Sequence, residues 1–471
     1  MGRGGREVCR YDTIVLMRAI CAILVAVCCW AAAGESPDGP QSAGMGGAGQ
    51  ESAGDPVTVT TAHPRLLLVP QRLRLLRRER ERNSMRWERF AAMVSGHAPL
   101  PERGFALALY YRVSGDANAA REAVAFALSP DADLRQEALV YDWCQDALGA
   151  AERSALTARM LKALAAPQTN NGVGAARSRA LAAIALFDDV PDAPQRELDR
   201  LVHGWWRGTM VPELASGRAT LARDDAYPLF EFLHAMRDST ILDLREELPR
   251  YFRNLPLEHM ISYYPAPYQG SDGLYFLGAT SNSGDPDLRQ AALSRAAELA
   301  MVAYDVNSSA SQMLQGWLMQ DRSILRSPFG APYEFLWANP YLPGLSYDRA
   351  PLISYDPTSG TLFIRSNWDD SAKWFGWFDG AAQLYDNGLR SPGRDSLHIG
   401  PATVCFADGP GKCVARAEED GAVFMVGLTP RRPYQVEVEG KKPAEKESDA
   451  GGILQIEIPR NKLVSIRVKA K

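Results

Sequence analysis

The amino-acid sequence predicts a multidomain chain in which helices come first and strands second. Two observations lead to this expectation. Between residues 61 and 345, short apolar stretches recur at helical spacing and are separated by Gly, Pro or Asp. Between residues 346 and 471, short and often alternating apolar runs are separated by turn residues, a pattern typical of strands. We therefore expect an (α/α) toroid or incomplete toroid, followed by a small antiparallel β-sandwich-like domain.

Length and composition are those of an ordinary folded protein. The chain has 471 residues, of which 46% are hydrophobic and 23% are charged, enough for two or three domains with a sizeable core. Its formal net charge is −4, so the composition does not predict a basic nucleic-acid surface. We therefore expect no nucleic-acid partner.

The first 33 residues have the pattern of a signal peptide. Four arginines precede an apolar run at residues 19–30, and three alanines ending at Ala33 follow it. The run is too short to span a bilayer comfortably, so we expect cleavage near Ala33, export to the periplasm or the extracellular space, and no stable membrane span afterwards. An uncleaved anchor helix is the alternative. A lipid on Cys28 or Cys29 would need a small preceding residue, which Val27 and Cys28 poorly match.

A linker and two domains follow the predicted signal peptide. Residues 34–60 begin with a stretch composed almost entirely of Gly, Ser, Pro, Ala and acidic residues. Such a composition cannot bury enough apolar surface to order itself, so we expect a flexible linker. The toroid domain is expected at residues 61–345, with ten or more helices in antiparallel pairs, and the β domain at residues 346–471.

Three cysteines remain after the predicted signal peptide. Cys405 and Cys413 flank the segment FADGPGK, whose DGPG turn could bring the two sulfur atoms together. An exported protein permits a disulfide there, and two buried thiols are the alternative. Cys144 lies in an apolar helical context and is expected in the core.

Several segments of the chain resemble elements of one known protein family. They include HPRLLLVPQRLRLLRRE from His63, YDWCQDALGAAER from Tyr141 and GTLFIRSNWDDSAKWFGWFDG from Gly360. The stretch at Asn170 and Asn171, followed by an Ala-rich helix, is similar to a further element of the same family. Together these segments resemble the heparinase II/III-like polysaccharide lyases, which pair an α/α toroid with a C-terminal β-sandwich. The resemblance extends over about residues 63 to 390.

The resemblance implies an enzyme, a carbon–oxygen lyase that cleaves acidic polysaccharides by β-elimination next to a uronic acid. The proton at C5 of the uronate must be removed by a base, while an amide neutralises the adjacent carboxylate so that negative charge can develop. A tyrosine or a histidine moves protons, and the tyrosine commonly protonates the leaving glycosidic oxygen. This chemistry implies no cofactor and no metal.

Carried onto this sequence, the resemblance nominates three catalytic residues. The amide falls on Asn170 or Asn171, with Asn171 preferred, although asparagine here could instead cap the following helix. The tyrosine falls on Tyr227. Glu231 and His234 lie four and seven residues beyond it, on the same helix face, and His234 is the candidate for proton transfer, with His203 as the alternative.

Substrate-binding residues are expected around these positions. Arginine can pair with a carboxylate or sulfate, and tryptophan can stack on a sugar face. The alternative is that these side chains form an ordinary amphipathic helix face or pack in the core. The predicted substrate-binding residues are Asn170, Arg177, His203, Trp206, Arg207, Arg223 and Glu231.

The β domain departs from the family pattern in one respect. Active members usually carry a histidine after the strand that ends in "F…G", whereas this chain has Gln383, Leu384 and Asp386 there. Two functions are therefore predicted, an exported lyase and a catalytically inactive glycan-binding or structural protein of the same fold. A hydrolase that uses Asp224, Asp225 and Glu231 is a third alternative. The sequence has no Walker loop, dinucleotide fingerprint or zinc-spaced Cys/His cluster.

Overall fold

The structure is a computed structural model that describes residues 55–168, 172–219, 221–281, 284–321, 325–409, 413–416, 422–459 and 462–471. Helices precede strands, so the fold class predicted from the sequence is confirmed. The α-helices of the described residues are α1 (Pro70–Glu81), α2 (Met85–Ser95), α3 (Arg103–Ser114), α4 (Ala117–Ala127), α5 (Leu134–Trp143), α6 (Ala150–Ala165), α7 (Val173–Leu186), α8 (Asp192–Asp199), α9 (Val211–Ser216), α10 (Arg223–Thr240), α11 (Pro249–Ile261), α12 (Leu288–Tyr304), α13 (Ser309–Leu318) and α14 (Ala331–Trp337).

Six helices form a closed inner ring. Helices α3, α5, α7, α10, α12 and α14 each pack against the next, and α14 packs back against α3. Helices α4, α6, α8, α11 and α13 lie between them in sequence and form the outer layer. The inner helices are buried on almost every side; in α5, every residue from Arg135 to Trp143 is buried. Burial all round the helix is what a position inside a ring requires.

Capping residues explain where several of these helices begin. The carboxylate of Asp133 accepts a hydrogen bond from Gln136 N at the start of α5, at 2.8 Å. Asp287 does the same for Gln290 N at the start of α12, at 3.1 Å. Such caps satisfy backbone N–H groups that have no partner within the helix. Helix α7 differs, because its N-cap is Gly172 and no side chain caps it.

Strands occupy the last part of the chain, apart from one short hairpin between α11 and α12. In chain order they are β1 (Tyr268–Gln269), β2 (Leu274–Tyr275), β3 (Ile353–Asp356), β4 (Thr361–Arg365), β5 (Trp374–Phe378), β6 (Ala381–Tyr385), β7 (Leu389–Arg390), β8 (Leu397–Ile399), β9 (Ala402–Phe406), β10 (Cys413–Arg416), β11 (Ala422–Val426), β12 (Pro433–Val438), β13 (Ala444–Glu447), β14 (Leu454–Ile456) and β15 (Leu463–Ala470).

The strands from β3 onwards form three sheets. The first has the order β3-β4-β5-β6-β7, the second β14-β11-β9-β8 and the third β10-β15-β12-β13. Pairing is antiparallel except between β9 and β11, which run parallel with Val404 opposite Phe424. The parallel pair is a local departure from the antiparallel arrangement expected from the sequence.

The three sheets are stacked as layers on the helical ring. One face of the first sheet, with Phe363, Trp374 and Phe378, belongs to the same hydrophobic core as the helices. Trp374 also donates a hydrogen bond from Nε1 to the carbonyl oxygen of Ile261 at 2.8 Å. The other face, including Phe375, packs against the second sheet, whose opposite face packs against the third. The central strands of the first sheet, β4 and β5, are therefore buried on both sides.

A disulfide joins Cys405 on β9 to Cys413 on β10. The bridge therefore links the second sheet to the third. The sequence left a disulfide and two buried thiols as alternatives, and the structure has the disulfide. Cys144 is a free, buried cysteine. Burial raises its pKa to about 12, so its thiol stays protonated in the core.

The predicted signal peptide lies outside the described residues, as does the predicted linker up to residue 54. The end of that linker packs against the helices: Val57 is 2% exposed, and its backbone N–H donates to Asp199 Oδ1 at 2.8 Å. In the described part of the chain, no helix is long and apolar enough to cross a membrane.

Replacing both Cys405 and Cys413 by Ala should lower the free energy of unfolding by about 2–3 kcal/mol, because the open chain regains loop entropy when it unfolds. Chemical denaturation measures the difference. A reducing agent should lower the stability of the wild type to a similar extent and leave the double variant unchanged. Equal stability of the wild type and the double variant would show that the bridge contributes nothing.

Candidate functional site

Polar side chains from five inner helices meet at one end of the ring. All but Glu231, which lies midway along α10, are at or near the start of their helices, so the N-termini of these helices face this end. We call this group the ring cluster. Its members are Glu102 at the N-cap of α3, Arg135 on α5, Arg177 on α7, Tyr227 and Glu231 on α10, and Tyr333 on α14.

Glu231 is the centre of the ring cluster. Its fully buried carboxylate accepts hydrogen bonds from Arg135 Nε at 2.8 Å and Arg135 Nη2 at 2.6 Å. Arg177 Nη1 and the Tyr227 hydroxyl donate to the same carboxylate, the latter at 2.6 Å. Burial by itself would raise the pKa of Glu231, but the charges of Arg135 and Arg177 outweigh it and lower the pKa to about 2. Glu231 is therefore ionised.

Tyr227 is enclosed by the other members of the cluster. The residue is 1% exposed, and Trp337 Nε1 donates a hydrogen bond to its oxygen at 3.0 Å. Its ring packs edge-on against Tyr333, with the centroids 4.8 Å apart. Burial, and then the negative charge of Glu231, raise the pKa of Tyr227 well above its ordinary value. The hydroxyl therefore keeps its proton and can act as a donor.

The ring cluster reaches the surface at two side chains. Arg135 Nη1 is 2.9 Å from Glu102 Oε2, which also accepts a hydrogen bond from the Tyr333 hydroxyl. The side chain of Glu102 is 15% exposed and that of Arg177 is 14% exposed, whereas Glu231 and Arg135 are buried. The two guanidinium groups balance the two carboxylates, which is how buried charges are accommodated.

Both candidate amide residues, Asn170 and Asn171, lie outside the described residues. The helix that follows them begins at Val173, after Gly172 at the N-cap, and carries Arg177 four residues further on. The chain at Asn170 and Asn171 therefore leads directly into the helix that contributes the partly exposed arginine. Their roles remain predictions.

His234 lies deeper in the ring than Tyr227. The ring is fully buried, with Nε2 3.0 Å from the carbonyl oxygen of Ala300 and Nδ1 3.2 Å from Arg237 Nη2. Burial lowers its pKa to about 4, so the imidazole is neutral at physiological pH. Its contact with the ring cluster runs through Trp337, whose ring centroid is 4.4 Å away. This geometry gives the predicted proton transfer by His234 no direct support.

Arg223 is held by neighbouring helices. It donates to Ser294 Oγ at 2.6 Å, to Ser262 Oγ at 3.0 Å and to the carbonyl oxygen of His259 at 2.9 Å. Its Nη2 is also 3.2 Å from Glu298 Oε1. These contacts tie α10 to α11 and α12, and they occupy the side chain that was predicted to bind substrate.

The predicted residues His203, Trp206 and Arg207 lie in the outer layer, in a π-helical segment (Arg200–Met210) between α8 and α9. Trp206 is fully buried against Phe232 and Phe252, as the packing alternative expects. Arg207 Nε donates to Glu247 at 2.8 Å, and its Nη1 lies 3.2 Å from His203 Nδ1. The structure does not bring these three residues to the ring cluster.

Four members of this environment were not found from the sequence. Glu102 is the N-cap of α3, whereas Arg135, Tyr333 and Trp337 lie within helices, and each contacts residues far away in the chain. The local signal was a charged residue near the start of a helix, as at Arg135. Their contact partners depend on how the ring of helices closes. The spacing of residues along the chain gives no information about that closure.

Gln383 occupies the β-strand position at which the family would carry a histidine. Its Nε2 donates to the carbonyl oxygen of Thr280 at 2.8 Å, and its Oε1 accepts from the Tyr264 hydroxyl at 2.8 Å. The amide therefore connects β6 to the segment that follows α11. It joins the first sheet to the helical ring.

The converging helix starts favour a negatively charged ligand. Helix N-termini carry unpaired backbone N–H groups and a partial positive charge. Glu231 and Glu102 already occupy part of this field, while Arg177 presents a cation near the surface. Among the described residues, no group of three or more His, Cys, Asp or Glu side chains is arranged to hold a metal ion.

Glu231→Gln should lower the free energy of unfolding by about 3–5 kcal/mol, because Arg135 would lose its buried counter-charge. The pKa of Glu231 is lowered from 4.5 to about 2, so its ionisation stabilises the fold fully above about pH 4.5. That contribution is lost as the pH falls toward 2, and the stability gap between wild type and variant should shrink in this range. Denaturation at several pH values measures the gap, with the exposed Glu81→Gln as control. A gap that does not change with pH would contradict the assignment.

No protein-family model matches this chain, and no curated protein matches it. Among solved structures, a chain described as "Glycoside hydrolase" is similar at 10% sequence identity, covering 88% of this chain and 77% of that chain with a TM-score of 0.32. An overlap this loose does not establish a shared chemistry.

Proposed function

We propose that the chain is an exported protein that binds an acidic, uronate-containing polysaccharide at the ring cluster and cleaves it by β-elimination. One observation carries the proposal: Tyr227, which keeps its proton, and the partly exposed Arg177 share the carboxylate of Glu231 at the converging helix starts. The adjoining segment contains Asn170 and Asn171. A cation, an amide and a proton donor are the groups that this elimination needs around a uronate.

Each residue has a stated role in the proposed reaction. Arg177 binds the uronate or a sulfate, and the Asn171 amide neutralises the carboxylate as charge develops on it. A base removes the C5 proton, the bond from C4 to the glycosidic oxygen breaks, and a double bond forms between C4 and C5. Tyr227 protonates the departing oxygen, for which its hydroxyl must turn away from Glu231. His234, predicted from the sequence to move a proton, would act as this base only after its ring had left the carbonyl oxygen of Ala300.

A second candidate function is glycan binding without cleavage. Tyr227 is 1% exposed and both its hydrogen bonds are made, so it also fits a purely structural role. Gln383 at the β6 position contributes no titratable group. In this function Arg177 and the helix starts hold an acidic chain at the surface, and the rest of the cluster stabilises the ring.

Cleavage should appear as a rise in the ultraviolet absorbance of unsaturated uronates when the mature protein is incubated with a panel of acidic polysaccharides. Tyr227→Phe and Asn171→Ala should each reduce the rate by about 10²–10⁴-fold, because each removes a group that acts on the transition state.

Tyr333→Phe is the matched control, since it removes a neighbouring buried hydroxyl that the reaction does not use. If both variants lost the same fraction of the cleavage rate, Tyr227 would act only through the stability of the protein. Tight binding with no absorbance change on any polysaccharide would select the second candidate function.

Arg177→Gln should weaken the binding of the same acidic polysaccharides by about tenfold or more, because a charge-assisted contact is lost. Titration calorimetry in the Tyr227→Phe background measures binding without turnover. Affinity should fall with added salt, since charges near the surface are screened. Arg74→Gln, at an exposed position on α1, is the control. An equal loss of affinity in that variant would mean that binding depends on the overall positive charge of the protein and not on Arg177.

A further inference from the structure

A groove of about 760 Å³ lies where the outer helix α11 meets the first sheet. Its sheet side is β3, the strand at the edge of that sheet. We call it the junction groove. The polar side chains that line it include Tyr251, Asn254 and Glu258 from α11, and Ser354, Tyr355 and Asp356 from β3. Its volume lies within the range of small-molecule sites.

The wall of the junction groove is fixed by a close backbone contact. Gly217 follows α9 with φ of +66°, a conformation in which glycine pays no steric penalty. A Cβ added there would lie 2.1 Å from the carbonyl oxygen of Thr358, which is one of the lining residues. The two segments can approach this closely only because the residue is glycine.

Two half-buried tyrosines give the groove aromatic surfaces in defined positions. The ring of Tyr251 packs edge-on against Phe252 with the centroids 5.2 Å apart, and that of Tyr355 packs against Phe424 at 5.3 Å. Rings held in this way lose little freedom when a ligand stacks on them. Aromatic faces of this kind suit the C–H face of a sugar ring, and polar edges suit its hydroxyl groups.

The two carboxyl groups of the groove differ in their surroundings. Asp356 is occupied by its own turn, accepting from Thr358 N at 2.9 Å and Ser359 Oγ at 2.8 Å. Among the described residues, no hydrogen bond or ion pair occupies the side chain of Glu258. Burial raises the pKa of Glu258 to about 7, with the nearby Asp356 acting in the same direction and Arg223 opposing it. Below that pH Glu258 offers a hydrogen-bond donor.

We propose that the junction groove binds a neutral saccharide unit, with stacking on Tyr251 and Tyr355 and hydrogen bonds to Asn254 and Glu258. A uronate is not favoured, because Asp356 and Glu247 line the groove together with Arg250, and Arg207 pairs with Glu247, so the groove has no surplus of positive charge to hold a carboxylate. The site goes beyond the proposed β-elimination and does not depend on it, since none of the ring cluster residues lines it.

Titration calorimetry of the mature protein with cellohexaose and with mannohexaose, at about pH 6, tests the proposal. At least one probe should bind saturably, and Tyr251→Ala and Asn254→Ala should each weaken it by about tenfold, as expected for a lost stacking or hydrogen-bond contact. Asn254 is exposed, so its variant should fold normally.

Arg253→Ala on the same helix is the matched control, because Arg253 is exposed and does not line the groove. Tyr227→Phe should bind the neutral probe as the wild type does, which separates this site from the ring cluster. If neither probe bound saturably, the proposal would be overturned. Binding that Tyr251→Ala and Asn254→Ala both leave unchanged would overturn it as well.

Binding should also weaken from about pH 6 to about pH 8.5, as Glu258 loses its proton and its donor. The charged and titratable groups around it are Arg250 and Tyr251 on α11, Glu247 before α11, Tyr355 and Asp356 on β3, and Arg223 on α10. Both tyrosines stay protonated over this range, because burial raises their pKa values. Glu258→Gln should bind equally at both pH values; a pH dependence that persists in this variant would remove Glu258 from the site.

Discussion

The buried carboxylate of Glu231 is the point on which the helical ring depends. Arg135 from α5 and Arg177 from α7 both reach it, as does the Tyr227 hydroxyl from its own helix α10. A charge in this position is unfavourable without partners, so the three helices must stand at the spacing that the hydrogen bonds require. The same contacts place the proton donor and the cation of the candidate site. The stability of the ring and the proposed function therefore depend on the same set of atoms.

That sharing explains why the two candidate functions are close in structure. In both, Glu231 is ionised because the two arginines outweigh burial and lower its pKa, and Tyr227 keeps its proton because burial and the charge of Glu231 raise its pKa. The functions differ only in whether the Tyr227 hydroxyl turns toward a substrate. The Tyr227 hydroxyl makes hydrogen bonds that stabilise the helical ring, so turning it away costs free energy. The binding energy of a polysaccharide would have to offset that cost.

Local patterns in the sequence predicted the elements well and their partners poorly. The change of apolar period near residue 346 predicts strands after helices, and the spacing of Tyr227, Glu231 and His234 predicts a shared helix face. The same spacing does not predict how deeply each side chain is buried. His234 packs against Tyr304 and Trp337, which belong to other inner helices. Arg135 lies 96 residues before Glu231, so their pairing depends on ring closure rather than on any local pattern.

The contacts of Trp374 bear on whether the helices and the strands are separate domains. Its indole donates to the last residue of α11, and with Phe363 and Phe378 it completes the core of the ring. The border near residue 346 therefore marks a change of secondary structure inside one folding unit. A fragment cut there would expose a large aromatic surface on both halves, even though the three sheets would keep the cores that they form among themselves.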